Sequence, residues 1–282
     1  MFQLKSMANR IVCILAALAG AALGNAQWLN YPTPGTPRTR HGKANLTAPV
    51  PRAPNGKPDL SGVWQVEPTP AAEMKRLFGD LSVENVLGDN SFAYSKYLVN
   101  ILADFKPEES PLRPEFAEIV RQRGRETYPL TRCLPVGAPA DDLLPGPFKI
   151  IQTPGLIVIR NEYENTFRQI YTDGRKAPAD PEPLWLGYSV GKWDADMLTV
   201  DTVGFNDKGW LDGMAHPRSE GLHVTERFRR RDFGHLDVEA TIDDPKVYTK
   251  AFSVKFTELL QPDSDVTEYF CNENEKDRSH IK

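Results

Sequence analysis

The residues best suited to moving protons or holding a metal ion gather between positions 205 and 227 of this 282-residue chain. His216, Glu220 and His223 form an H-x3-E-x2-H pattern. Imidazole and carboxylate are ligands for a divalent transition metal, and a loop feeding a strand could fold the three together. The same groups could form an acid/base set, because histidine titrates near neutrality and a carboxylate can orient it. They could also be structural: His216 bracing a loop and His223 donating to a neighbouring strand. Pro217 and Gly221 argue against a helix that would align His216 with Glu220.

The run from His223 to Arg229 alternates in type. Val224, Glu226 and Phe228 share one face of a strand, and His223, Thr225, Arg227 and Arg229 the other. If the first face is inward, Glu226 is a carboxylate in an apolar lining, which must find a cation or hold a proton. Arg160 or Arg168 could supply the cation. A buried structural ion pair accounts for the same pattern. Asn206, Trp210 and Asp212 lie in a glycine-containing loop of the type that covers small ligands such as sugars or aromatic acids. Tyr163 is a candidate hydrogen-bond donor to a ligand, and Arg160 or Arg227 could hold an anionic or carbonyl group. In this reading His216, His223 and Glu226 are the catalytic set, and Arg160, Tyr163, Asn206, Trp210, Asp212, Glu220 and Arg227 contact the ligand. No Gly-x-Ser-x-Gly elbow, Walker loop or dinucleotide fingerprint is visible, so no cofactor is expected; a divalent metal at His216, Glu220 and His223 is the minority alternative.

The elements that must position these groups are mostly strands. From Phe148 onward, short alternating runs recur with turn signals about every ten residues, giving about nine strands in an antiparallel meander. Asp194-Ala195-Asp196 reads as a hairpin tip. The runs continue to VTEYFCNE near the C-terminus. A closed antiparallel barrel of calycin-like type, which removes strand edges and leaves an interior, is the expected fold; a two-layer β-sandwich is the alternative.

Residues 70–126 break this pattern with helical spacing, including a stripe of Phe92, Tyr97, Leu98, Ile101 and Leu102, and Pro111 and Pro114 mark the start of a third helix. A small helical insert on a single β-domain spanning 59–282 is expected. Residues 27–58 are proline-rich and basic with few apolar positions, as in an extended arm. Residues 1–26 have the basic start, the short apolar run and the small residues of a signal peptide, with cleavage expected before Gln27. A periplasmic or secreted protein is therefore expected, with no transmembrane segment after cleavage.

In such a compartment the two remaining cysteines, Cys133 and Cys271, form one disulfide on expectation, worth about 4–5 kcal/mol on the chain-entropy view. The formal net charge is −4, and loss of Lys5 and Arg10 with the signal makes the chain more acidic, which argues against nucleic acid as a partner.

Several phrases, RCLPVG, IYTDGR, WLGYSVGKWDADMLTVDTVGFND, HPRSEGLHVTERFRRRDFGHL and EYFCNENEKD, together resemble a large family of exported proteins of acidobacteria and other Gram-negative bacteria. The resemblance runs over roughly residues 58–278. It implies export and one coherent unit, and carries no mechanism. The Leu-Ser-Gly-Val-Trp start and the GKWDADMLTVDT hairpin look like lipocalin-like (calycin) barrels, which implies a Gly-x-Trp strand closing a barrel base around a small ligand. The expected function is that of an exported small-molecule-binding barrel, with a polar or carbohydrate-like ligand at a mouth built by residues 205–226. The alternatives are an acid/base enzyme (lyase, isomerase or hydrolase) and a non-catalytic binding or interaction protein that uses its proline-rich arm.

Overall fold

Strands β1 to β9 close into one barrel in chain order, with β9 returning to pair with β1. The computed structural model describes residues 32–79, 94–123, 132–163 and 165–271; residues 1–26, expected to be a signal peptide, and Phe92 lie outside them. The strands are β1 (Gly62–Val66), β2 (Phe148–Thr153), β3 (Leu156–Asn161), β4 (Phe167–Tyr171), β5 (Tyr188–Asp194), β6 (Met197–Val203), β7 (His223–Arg230), β8 (His235–Asp243) and β9 (Phe252–Leu260). Closure excludes the sandwich alternative. The VTEYFCNE run supplies no tenth strand: Val266 to Phe270 form no ladder and instead lie over the barrel wall, where Tyr269 stacks on Tyr163 and Arg160 donates to the Thr267 carbonyl.

The alternation read from sequence is the alternation of burial. Val224, Glu226, Phe228 and Arg230 of β7 point inward, as do Leu236, Val238, Ala240 and Ile242 of β8. On β9 the inward set is Phe252, Val254, Phe256, Glu258 and Leu260. β5 and β6 meet through a two-residue turn in which Asp194 faces Met197 and Ala195 takes a positive φ of 48°.

One seam differs from all the others. A closed barrel with an odd number of strands cannot be antiparallel throughout, and here β4 and β5 run parallel. Parallel neighbours need a long crossover, which residues 172–187 provide with Pro178, Pro181 and Pro183 in place of a helix. The two strands share only the pairs Ile170↔Ser189 and Tyr171↔Val190, whereas β3 pairs with β4 along its whole length from Phe167. The start of β4 therefore faces a gap in the wall.

The barrel ends are closed by non-strand segments. At one end, fully buried Trp64 donates to the Leu60 carbonyl, and the Arg230 guanidinium lies 4.9 Å from its ring. The insert gives α1 (Ala71–Phe78), α2 (Lys96–Val99) and α3 (Pro114–Arg123). Tyr97, Leu98, Ile101 and Leu102 enter the core as the stripe indicates, but α2 is one turn long. It stops because the Ile101 amide donates to Asp212 Oδ2 (2.6 Å), a tertiary partner that competes with the helix. The described part of the proline-rich arm is not simply extended: it makes two short loops closed by the bridges Arg38↔Ala44 and Arg52↔Pro58. It is bound to the barrel, where Arg38 pairs with Asp263, Arg52 with Asp196, and the Ala48 and Leu46 carbonyls accept from Phe233 and Gly234. The Cys133–Cys271 disulfide is formed, with Cα atoms 5.7 Å apart. Among the described residues no helix is long and apolar enough to cross a membrane.

Candidate functional site

A polar layer crosses the otherwise apolar barrel interior. Arg168 of β4 is 4 % exposed and donates to Ser189 Oγ of β5 (3.0 Å), Thr202 Oγ1 of β6 (2.7 Å) and both carboxylate oxygens of Glu226 on β7, one at 3.2 Å. The Glu226 carboxylate holds this guanidinium charged against the burial that opposes it. Residues 136–146 plug the barrel end beside it, and the 3-10 turn Ala140–Leu143 places Asp142 3.8 Å from Arg168. Gly137 permits that turn: its φ is +80°, and a Cβ there would sit 2.5 Å from the Trp185 carbonyl. Its amide donates to Asp141 Oδ1 (2.7 Å), and Asn161 Nδ2 donates to the Asp141 carbonyl (3.1 Å).

Acids outnumber bases in this layer. Asp142, Glu226 and Glu258 are all buried, the first two against Arg168 and Glu258 beside Asp142. Among the described residues, both oxygens of Asp142, both of Glu258 and Oδ1 of Asn161 meet no donor. All five orphans are acceptors, so the missing ingredient is hydrogen. Burial and the Glu226 charge push the Asp142 carboxyl well above its usual range, more than Arg168 pulls it down. Burial and Asp142 do the same to Glu258. Once protonated, Asp142 is placed to hydrogen-bond Glu226.

The β4–β5 seam leads to this layer from outside. A cavity of about 400 Å³ at this seam has Arg168 and Ser189 among its lining residues, with Pro135, Phe167, Trp185 and Tyr188. Phe167 and Leu184 are exposed large side chains on its lip. Tyr171 and Tyr188 stack across the seam at 5.3 Å, with Arg175, paired to Asp173, 3.9 Å over Tyr171. Arg218 fixes the surroundings. It donates to the carbonyls of Val136 in the plug (2.7 Å), Trp185 in the crossover (2.9 Å) and Asn206 in the following loop (2.9 Å), and desolvation brings it down to about 10. A larger cavity of about 530 Å³ lies between the arm and the barrel base. Its charged groups are already committed: Arg230 to the carbonyls of Asp59, Ser61 and Phe233, Asp263 to Arg38, and Asp265 to Lys149.

The residues that sequence grouped as one site fall into separate networks. Asp212 is a fully buried loop organiser that accepts from the Ile101 and His216 amides and pairs with His216 Nδ1 (2.5 Å). His223 lies on the outer barrel face, half-exposed, against Asp201 (2.9 Å). Glu226 faces the interior, so the three expected catalytic groups do not converge. Glu220 is exposed, and no group of three or more His, Cys, Asp or Glu side chains able to hold a metal occurs among the described residues; His216, Glu220 and His223 are not brought together. Asn206 Oδ1 accepts from Arg218 and from the Lys208 amide, and Trp210 is buried opposite Pro217, so both are packed into the 205–221 loop. Arg160 and Tyr163 hold the C-terminal segment, and Arg227 is exposed on the outer face.

Of the expected groups, Glu226 and one of its two expected cations, Arg168, lie in the polar layer, whereas Arg160 bonds to Thr267 and Asn165 instead. Sequence reading missed Asp142, Asn161, Ser189, Thr202, Arg218 and Glu258. Glu258 carried the signal that marked Glu226, a carboxylate in the apolar phase of an alternating strand, here Phe252, Val254, Phe256 and Leu260. Asp142 carried none, because nothing local says that its turn enters a barrel. No protein-family model matches the chain, and neither curated proteins nor solved structures give a match.

Proposed function

We propose that this is an exported barrel protein that binds a small organic molecule in the β4–β5 seam, its apolar body between Phe167, Trp185, Leu184 and Tyr188 and its polar head toward Arg168 and Ser189. The observation that carries this reading is the seam cavity itself: an opening with apolar and aromatic walls whose one charged lining residue belongs to a buried polar layer. A largely apolar pocket with a few convergent polar groups is the usual form of a small-molecule site. Export is supported by the signal-like residues 1–26 and by the disulfide, which suits an oxidising compartment. The second reading is an acid/base enzyme at the same place, favoured by acids that burial keeps protonated beside a guanidinium.

Ligand-observed NMR with small aromatic, carboxylic and carbohydrate compounds tests the binding site. Leu184→Arg, at the exposed lip, is expected to abolish the hits while leaving the thermal midpoint near wild type. Hits that survive this block place the ligand elsewhere. Fractionation of expressing cells, with N-terminal sequencing, is expected to find a periplasmic or secreted chain starting at Gln27.

A further inference from the structure

The charge balance behind the seam deepens the binding reading, on which the inference drawn from it rests. Arg168 is the one charged residue among those lining the cavity, and its planar fork suits a carboxylate. Yet Glu226 already occupies that fork. The acids acting on it are Asp141 and Asp142 from the plug and Glu226 from β7, with Glu258 of β9 behind Asp142, and its neutral partners are Ser189 and Thr202 from β5 and β6. Asp141 also acts on Arg218, so among Asp142, Glu226 and Glu258 a single ionised carboxyl, Glu226, balances Arg168. A fourth carboxylate would leave an uncompensated buried charge, which costs several kcal/mol.

We infer that the seam is a proton-coupled organic-anion site: Asp142 and Glu226 share one hydrogen, and a carboxylate that reaches Arg168 enters together with one further proton from solvent, taken by that pair. The ligand anion then replaces Glu226 as the counter-ion of Arg168, and the pair becomes two neutral carboxyls that hydrogen-bond each other. Charge is conserved, because one anion and one proton enter together. A neutral ligand of the same shape needs no proton. The orphaned Asp142 carboxylate fits this arrangement, since a hydrogen shared with Glu226 gives one of its oxygens a partner.

Benzoate and its neutral isostere benzamide are the probes. Calorimetry in phosphate and in Tris, which differ in ionisation enthalpy, counts the protons taken up. The expected result is about one proton per benzoate and none per benzamide, with benzoate affinity falling about tenfold per pH unit above neutrality while benzamide affinity stays flat. Benzoate that binds without proton uptake overturns the inference and leaves the binding reading intact. Failure of both probes to bind overturns both. Infrared spectroscopy of the ligand-free protein adds a check that needs no ligand: a protonated-carboxyl carbonyl band at neutral pH, reduced in Asp142→Asn, is expected. Its absence from the wild type overturns proton sharing.

Discussion

Replacing Asp142 by Asn should change how stability depends on pH more than stability itself. In the unfolded chain Asp142 and Glu258 ionise in the ordinary carboxylate range. In the barrel, burial holds both well above it. Between those limits the native state carries protons that the unfolded state lacks, so stability is full below the ordinary carboxylate range and is lost as pH rises toward the raised values. Each such proton contributes a slope of about 1.4 kcal/mol per pH unit, and the two together about 2.7. Asn and Gln imitate the neutral acids in shape and keep a donor. Asp142→Asn should therefore flatten the curve by about 1.4 kcal/mol per pH unit, and the double variant with Glu258→Gln by about 2.7. Urea unfolding between about pH 5 and about pH 7, with the disulfide intact, measures this. Surface groups titrate alike in all variants, so the difference between curves isolates the two acids. Parallel curves for wild type and double variant would refute the claim that these carboxyls are buried as neutral acids.

Other expectations arise from the same geometry. Arg168→Met leaves Glu226 without its cation and should cost about 3–5 kcal/mol at neutral pH in urea unfolding, with loss of benzoate binding. Gly187→Ala puts a Cβ 2.7 Å from Thr202 Cγ2 at a φ of +66° and should destabilise the protein by about 1–3 kcal/mol while weakening probe binding at the seam. Cys133→Ser with Cys271→Ser opens a loop of 138 residues in sequence separation and should cost about 4–5 kcal/mol, read as a lowered denaturant midpoint. His223→Ala, on the outer face, should leave probe affinity within about twofold of wild type in the same calorimetric titration, because its partner Asp201 also faces outward.

The barrel was legible because strand alternation is local. Val224, Glu226 and Phe228 announce an inward face without any knowledge of what lies across the interior. The hairpin at Asp194–Asp196 was legible for the same reason. The seam was legible in principle and overlooked: an odd number of strands around a closed barrel requires one parallel pair, and the proline-rich stretch 172–187 is where the chain has the length to make it. The site was legible only in part. His216, His223 and Trp210 drew attention by their chemistry, yet Asp212 and Arg218 consume the polar groups of this loop in holding it together. Asp142 enters the site through a turn that carries no periodic signal, and its role depends on Glu226 and Arg168, both distant in sequence.

Binding and proton uptake alike depend on a ligand entering through the gap between β4 and β5. A crystal structure of the protein grown with benzoate tests this entry without intermediaries. Density is expected between Trp185 and Tyr188, with a carboxylate within hydrogen-bond distance of Arg168 or Ser189. Density confined to the cavity beneath the arm, with the seam filled by its own side chains, would contradict it.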